Sequence, residues 1–234
     1  MTDFRGRGFA IADIRLTPDQ CDHLAASIPT VASGRGGVRD LLHHPTVLQL
    51  LRHKQLGDYL WSVVGRELVA VNAKLLDKTA DSNWRVAWHQ DRMIAVREQR
   101  EVAGYGPWSS KNGVPHVEPP SAVLQQMLAV RVHLDPSGVE NGPLRVIPGS
   151  HELGKISDAD IPGVVAMSEP FEICVDRGAI VIMRPLLLHA SSPSRAPEHR
   201  RVLHIEFAPI DAISPLHWDQ PVPLSRVAEV TLKR

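Results

Sequence analysis

A histidine and a carboxylate two residues apart in an extended segment can close on one metal ion, and WRVAWHQDRMIAV offers that spacing at His89 and Asp91. On a strand, residues i and i+2 face the same side, so both side chains reach one point. An imidazole nitrogen and a carboxylate oxygen suit a divalent first-row metal. Two histidines and one carboxylate on one face leave other coordination positions open, the arrangement used by non-haem Fe(II) oxygenases. Alone, H-x-D is a weak signal that arises by chance in many soluble proteins. The missing ligand must be a distant histidine, and His189 is the best candidate. It follows the run AIVIMRPLLL, where apolar residues lead up to a single polar ring. A core histidine bonded to a neighbouring carbonyl would read the same way. The ligand reading is favoured by what comes next, SSPSRAPEHRRVLHIEF, which places Arg200 and Arg201 eleven and twelve residues beyond His189. A buried guanidinium pairs bidentately with a carboxylate, as a dicarboxylate co-substrate requires. Ser191 can add a hydroxyl to the same carboxylate.

The elements that must position these residues fall into two parts. The first third reads as helical. Thr17, Pro18, Asp19 and Gln20 form an N-cap, a proline at the first helical position and a capping-box partner. Cys21, Leu24, Ala25 and Ile28 then recur at helical spacing, and the Gly-rich SGRGGVRD ends the unit. Residues 45–64 predict a second amphipathic helix, with Val47, Leu50, Leu51 and Leu60 apolar and Gly65 just beyond its end. From Glu67 onward the pattern turns to strands, expected at 68–76, 123–134, 144–147, 171–175, 179–183 and 202–207. Punctuation such as DPSGVENGP and VDRG separates them. The expected fold is mainly β (α+β), a sandwich or barrel buttressed by the N-terminal helices. One domain is expected, with a helical part at 1–66, a β core at 67–210 and a C-terminal segment at 211–234. The stretch 97–120, containing GYGPWSSKNGVPHVEPP, lacks periodicity and reads as a long loop, either a lid or a surface excursion.

Bulk properties exclude more than they assign. The chain has 234 residues and balances 26 basic against 26 acidic side chains, so no global field attracts nucleic acid or an anionic membrane. Two cysteines, Cys21 and Cys174, are too few for a disulfide framework. The opening MTDFRGRGFAIADIRL lacks a signal-peptide apolar run, and no stretch approaches eighteen uninterrupted apolar residues. A cytoplasmic protein acting on a small molecule is expected. Oligomeric state is unreadable.

Three blocks together carry a resemblance: WHQD at 88–91, NGPLRVIPGSH at 141–151 and HASSPSRAPEHRR at 189–201. Their order and spacing resemble the phytanoyl-CoA dioxygenase family of Fe(II)/2-oxoglutarate oxygenases over about residues 68–207. The resemblance implies a double-stranded β-helix (jelly-roll) core, with Fe(II), 2-oxoglutarate and O2 as cofactor and co-substrates. It makes His89, Asp91 and His189 the iron ligands and Arg200, with Ser191 beside it, the partner of the distal 2-oxoglutarate carboxylate. Arg201 is the alternative if the register is off by one, because the two arginines face opposite sides of a strand. Asn72 and Lys74 sit where relatives place polar contacts to the co-substrate. Ser194 departs from the Asn of many relatives, which puts a loop hydrogen bond in doubt. Related halogenases replace the carboxylate at Asp91, so its presence favours hydroxylation. The implied reaction decarboxylates 2-oxoglutarate to succinate and oxidises a substrate C–H.

Arg131 and His133 share one strand face, and Arg131 would anchor a substrate carboxylate or phosphate if that face lines the interior. Trp108 is a further substrate-side candidate, as are Arg85, Arg92 and Arg97. His151 is expected to order a turn, and His199 and His204 to lie near the site or on the surface. The substrate expected is a small metabolite, an amino acid derivative or natural-product intermediate. Two other readings stay open: a catalytically silent metal-binding jelly-roll sensor, and a cupin-type or hydrolytic metalloenzyme, which would have no need of Arg200.

Overall fold

Strand alternation decides the architecture seen in the computed structural model, which describes residues 2–29, 37–195 and 199–226. The chain opens with α1 (Thr2–Arg7), β1 (Phe9–Arg15), α2 (Pro18–Ser27), β2 (Gly37–Val38), α3 (Pro45–Leu51), α4 (Lys54–Val64) and β3 (Val69–Lys78). It continues through β4 (Val86–His89), β5 (Ile94–Ala95), β6 (Trp108–Lys111), β7 (Val114–Val117), α5 (Ser121–Leu124) and β8 (Leu128–His133). The remainder is β9 (Leu144–Val146), α6 (Ile161–Ala166), β10 (Phe171–Ile173), β11 (Ala179–Met183), β12 (His189–Ser191), β13 (Arg200–Ala208) and β14 (Val222–Pro223).

A large antiparallel sheet runs β1-β11-β8-β13-β3-β14, with β2 also on β3, and a smaller one runs β10-β9-β12-β4. Their inner faces pack together through Ala129, Val181 and Met183 on one side and Leu144, Val146 and Ile173 on the other. The outer face of the large sheet is apolar: Ala73, Leu75, Val130, Val132, Ile180, Ile182, Leu203, Ile205 and Phe207 bury against Leu24, Leu51, Leu56 and Leu60 of the helices. Each large aliphatic or aromatic side chain so buried contributes about 1.5–3 kcal/mol. The result is a jelly roll of two facing sheets, not a closed barrel. With the outer positions committed to the helices, residues of opposite parity in β3, β8 and β13 point inward, and several are polar: Asn72, Lys74, Lys78, Arg131, His133, Arg200, His204 and Glu206. Register sets them opposite one another, Arg200 against Lys78, His204 against Lys74 and Arg131, and Glu206 against Asn72.

Several expectations are corrected. The first third is not wholly helical: FAIADIR forms β1, pairing with β11 at the edge of the large sheet. Its alternation supports a strand that covers Val181 and Met183. The helix expected over 45–64 is two helices, broken at Arg52 and His53. Residues 121–124 are a helical turn following two prolines, so the strand expected from 123 begins at Leu128. The stretch 97–120 is not structureless: β6 and β7 form a hairpin that continues onto β5 as a third sheet. Asn112 and Gly113 turn it with φ of 51° and 82°, the two-residue geometry whose twist matches flanking strands. By contrast, the Thr17 capping box forms as expected, with the Thr17 N–H donating to Gln20 Oε1 at 2.8 Å and the Gln20 N–H to Thr17 Oγ1 at 3.3 Å. Residues 33–36 of the Gly-rich break and 227–234 of the C-terminal segment lie outside the described residues. No helix among the described residues is long and apolar enough to cross a membrane.

Candidate metal centre

β4 and β12 run antiparallel, and their register places His89 directly opposite His189. The two rings lie 4.1 Å apart between centroids. Asp91, just past the end of β4, is fixed by its own N–H, which donates to the Pro185 carbonyl at 2.9 Å. Between the two, Gln90 points the other way and is buried. It donates to the carbonyls of Gly154 and Leu186 at 2.8 and 2.7 Å and accepts from the Ile156 N–H at 2.9 Å. The residue between the H and D of the motif thus ties residues 154–156 and Leu186 to the end of β4 while its neighbours face inward.

His189 Nε2 stands 3.6 Å from Asp91 Oδ2, and His89 Nε2 stands 3.9 Å from Asp91 Oδ1. One ligand atom from each residue falls within 4.8 Å of the others. These separations are too long for hydrogen bonds. They match ligand atoms that share an ion, since bonds of about 2 Å to one metal set donor atoms about 3–4 Å apart. The tautomers agree. Nδ1 of His89 donates to the Ala87 carbonyl and Nδ1 of His189 to the Leu187 carbonyl, both at 2.9 Å. A carbonyl only accepts, so each Nε2 keeps its lone pair for a metal. Asp91 Oδ2 is buried and has no hydrogen-bond partner. The three residues fit a divalent cation.

A second cluster, Asp91, His204 and Glu206, is equally close, but its chemistry differs. The Arg131 guanidinium, which can only donate, meets His204 Nδ1 at 3.3 Å. The proton of neutral His204 therefore sits on Nε2, which faces Glu206 Oε1 at 3.4 Å. In that tautomer His204 turns an N–H, not a lone pair, towards Glu206 and Asp91, although it completes no hydrogen bond with either. Burial opposes ionisation of Asp91, yet neighbouring positive charge, Lys74 first, outweighs it and holds its carboxyl well below the usual range. Burial, and then the neighbouring His89, push His189 down to about 3, so its ring is neutral and free to ligate.

On one side of the triad lies a cavity of about 110 Å³ bounded by His89, His189, Ser191, Arg131 and Arg200. Arg200 is 3 % exposed and Arg131 4 %. Arg200 donates to the Gly142 carbonyl at 2.7 Å, but its Nε, like that of Arg131, has no partner. Lys78, opposite Arg200 on β3, donates to Ser191 Oγ at 3.1 Å and to the Ser192 carbonyl. Burial, then Arg200 and Arg131, lower Lys78 to about 7. Burial likewise lowers Arg200 and Arg131 to about 10. Buried cations without counter-charges cost several kcal/mol, which an anion in the cavity offsets. Arg201 faces away, and its guanidinium is committed to Asp135 by bonds of 2.8 and 2.7 Å.

The NGPLRVIPGSH segment frames this cavity. Gly142 (φ +66°) comes so close to the Ser192 carbonyl that a Cβ would meet it at 2.2 Å. Ser150 Oγ donates to the Ile147 carbonyl at 2.7 Å and accepts from the Leu188 N–H at 2.8 Å, fixing the chain one residue before His189. His151, expected to order the turn, reaches across to α1 and bonds the Arg5 carbonyl at 3.0 Å. At Ser194, Asn83 supplies both loop bonds, donating to its carbonyl at 2.7 Å and accepting from its N–H at 2.6 Å.

Residues 4–202 match the sequence profile of the phytanoyl-CoA dioxygenase family. The chain belongs to that family. It is accordingly an Fe(II)/2-oxoglutarate-dependent oxygenase. Among solved structures, AviO1 from Streptomyces viridochromogenes Tue57 is 24% identical, covering 89% of this chain and 92% of its own, with a TM-score of 0.64. EctD from S. alaskensis with bound Fe is 15% identical, covering 97% and 85%, with a TM-score of 0.71. SnoK, a non-heme alpha ketoglutarate dependent carbocyclase from nogalamycin biosynthesis, is 14% identical, covering 89% and 82%, with a TM-score of 0.67. At these identities the likeness is one of fold. No curated protein matches the sequence.

In this dioxygenase a second cavity, of about 180 Å³, opens on the other side of Asp91 and is bounded by Asn72, Lys74 and Glu206 among others. Lys74 borders both cavities, while Asn72 borders only the second. Arg92 reaches the second cavity with its guanidinium held by the Ile156 carbonyl, Asp158 and Glu118. Trp108 lies apart from both and packs against the cluster that includes Ile94, Val96 and Trp218. Two larger cavities, about 540 and 410 Å³, contain none of the candidate ligands. Sequence reasoning missed Lys78, Glu206 and the inward position of His204. The signal was present in VNAKLLDK and RRVLHIEFA, where polar residues recur every second position between apolar ones.

Proposed function

We propose that this dioxygenase hydroxylates an aliphatic C–H of a small metabolite, with His89, Asp91 and His189 as iron ligands. In this reading Arg200 and Ser191 hold the distal carboxylate of 2-oxoglutarate, and Lys78 and Arg131 add charge behind them. The observation that supports it best is the pairing of two features across one cavity. Two imidazole Nε2 lone pairs face the Asp91 carboxylate, whose Oδ2 has no partner, and a buried Arg200 with an unpaired Nε lies opposite. A hydrolase or metal sensor has no use for that guanidinium.

Iron, 2-oxoglutarate and O2 together supply the oxidation, releasing succinate and CO2. The chain's own residues orient and exclude. Gln90 and Ser150 hold the segments that carry the ligands. Lys74 keeps Asp91 and Glu206 ionised. The closed inner faces of the sheets keep bulk water from the co-substrate side. Retention of Asp91 leaves no position for halide and favours hydroxylation. The chain is read as one catalytic domain acting in the cytoplasm, where its two free cysteines would stay reduced.

The test supplies Fe(II), ascorbate, 2-oxoglutarate and O2, and follows succinate across a panel of metabolites. Substrate-stimulated succinate, with a product heavier by one oxygen atom and no turnover in Asp91→Ala, is expected. Metal binding without 2-oxoglutarate affinity would sink the hydroxylase reading.

A further inference from the structure

The cavity beyond Asp91 is lined almost entirely by polar side chains, with Met93 the exception. Its cations are not equally satisfied. Lys74 is 3.7 Å from Glu206, and Arg92 is tied to Glu118 and Asp158. The side chains of Arg39, which follows β2, and Lys111, at the hairpin turn, make no hydrogen bond or ion pair with any described residue. The nearby acid Asp40 is engaged by Asn112 at 2.9 Å. Burial, then the approach of Arg39 and Lys74, pull the half-buried Lys111 amine below its ordinary range, and Glu206 and Asp91 offset this only in part. Four cations, Arg39, Lys74, Arg92 and Lys111, line the cavity against three carboxylates, Asp40, Asp91 and Glu206, and an anionic ligand would pair the charge that Arg39 and Lys111 leave without a direct partner.

We infer that the substrate is a small anionic metabolite whose carboxylate or phosphate lies between Arg39 and Lys111, with the carbon to be oxidised directed towards Asp91. This rests on the iron site proposed above. A cavity of about 180 Å³ with one apolar lining residue cannot bury a long acyl chain. The two cations converge from different elements, so binding an anion also holds the β6–β7 hairpin over the site. The hairpin's role is then to complete an anion clamp, which requires the substrate's own charge to close.

Inorganic phosphate and acetate serve as probes. With the lysines of the intact chain labelled by 13C reductive methylation, Lys111 is assigned from the signal lost in Lys111→Arg. A saturable shift of that signal on adding phosphate or acetate is expected, weakened about tenfold or more in Arg39→Gln and retained in Arg39→Lys. Whether phosphate or acetate binds tighter assigns the anionic group. No saturable shift, or an affinity unchanged in Arg39→Gln, overturns the proposal. In parallel, the visible charge-transfer band of the anaerobic Fe(II)–2-oxoglutarate complex is expected to form equally in the unmodified chain and in Arg39→Gln. If that band forms while neither probe binds, the anion clamp alone fails. If it never forms in the unmodified chain, the iron-site reading falls and the clamp with it.

Discussion

Replacing Arg200 and Arg201 one at a time separates the co-substrate site from mere packing, because the two neighbours face opposite sides of β13. Arg200 is almost fully buried, makes one bond to the Gly142 carbonyl and leaves its Nε unpaired beside Arg131 and Lys78. In Arg200→Gln the free protein loses that bond but is also relieved of a buried uncompensated charge, so its stability should change by less than about 1 kcal/mol. The bound state loses two charge-assisted bonds to a carboxylate, about 1.5–2 kcal/mol each, or 3–4 kcal/mol together. That corresponds to about a 150- to 1000-fold rise in the 2-oxoglutarate Kd. Arg201→Gln breaks the bidentate pair with Asp135 instead. It should lower Tm by a few degrees, from a loss of about 1–2 kcal/mol, and leave the Kd within about twofold. Anaerobic titration of the Fe(II) protein with 2-oxoglutarate, read at its charge-transfer band, gives the Kd, and thermal melting gives the stability. A large Kd effect from Arg201→Gln, or none from Arg200→Gln, would refute the assignment.

Three further outcomes follow from the same geometry. Lys78 titrates near 7 in the folded chain against an ordinary 10.5, so its charge is present below that pH and lost as pH rises through it. The 2-oxoglutarate Kd should therefore be lowest below pH 7 and rise above it by at most about tenfold per pH unit, and Lys78→Met should flatten the profile. Because the unfolded lysine holds its proton between those two values, stability itself should rise with pH across that window. Gly142→Ala drives a Cβ to 2.2 Å from the Ser192 carbonyl at a left-handed φ, and a loss of about 2–4 kcal/mol is expected, read by chemical denaturation. Ser150→Ala strands the buried Leu188 N–H; about 1–3 kcal/mol of stability should go with it, together with a weaker Fe(II) affinity, measured by metal titration.

Much of the site was legible because its chemistry is local in pattern. His89 and Asp91 needed only a strand period, and the choice of Arg200 over Arg201 needed only knowledge of which face of β13 is apolar. Leu203, Ile205 and Phe207 carry that information. Less legible were effects that arise from pairing. The alternation in FAIADIR is too short to be decisive until β11 offers it an edge. The break at Arg52 and His53 has no proline or glycine to announce it. The 108–117 hairpin was announced by Asn112-Gly113 but was hidden among neighbouring prolines. The roles of Lys78 and His204 depend on cross-strand register, which a single strand's sequence does not contain.

In the proposed site His89, Asp91 and His189 hold one iron, and the adjacent Asp91, His204 and Glu206 do not. A crystal of the protein loaded anaerobically with Fe(II), measured on both sides of the iron absorption edge, locates the ion directly. A single anomalous peak is expected within bonding distance, about 2 Å, of His89 Nε2, His189 Nε2 and an Asp91 carboxylate oxygen. A peak bonded to His204 and Glu206, or one that persists at full strength in His189→Ala, would contradict it.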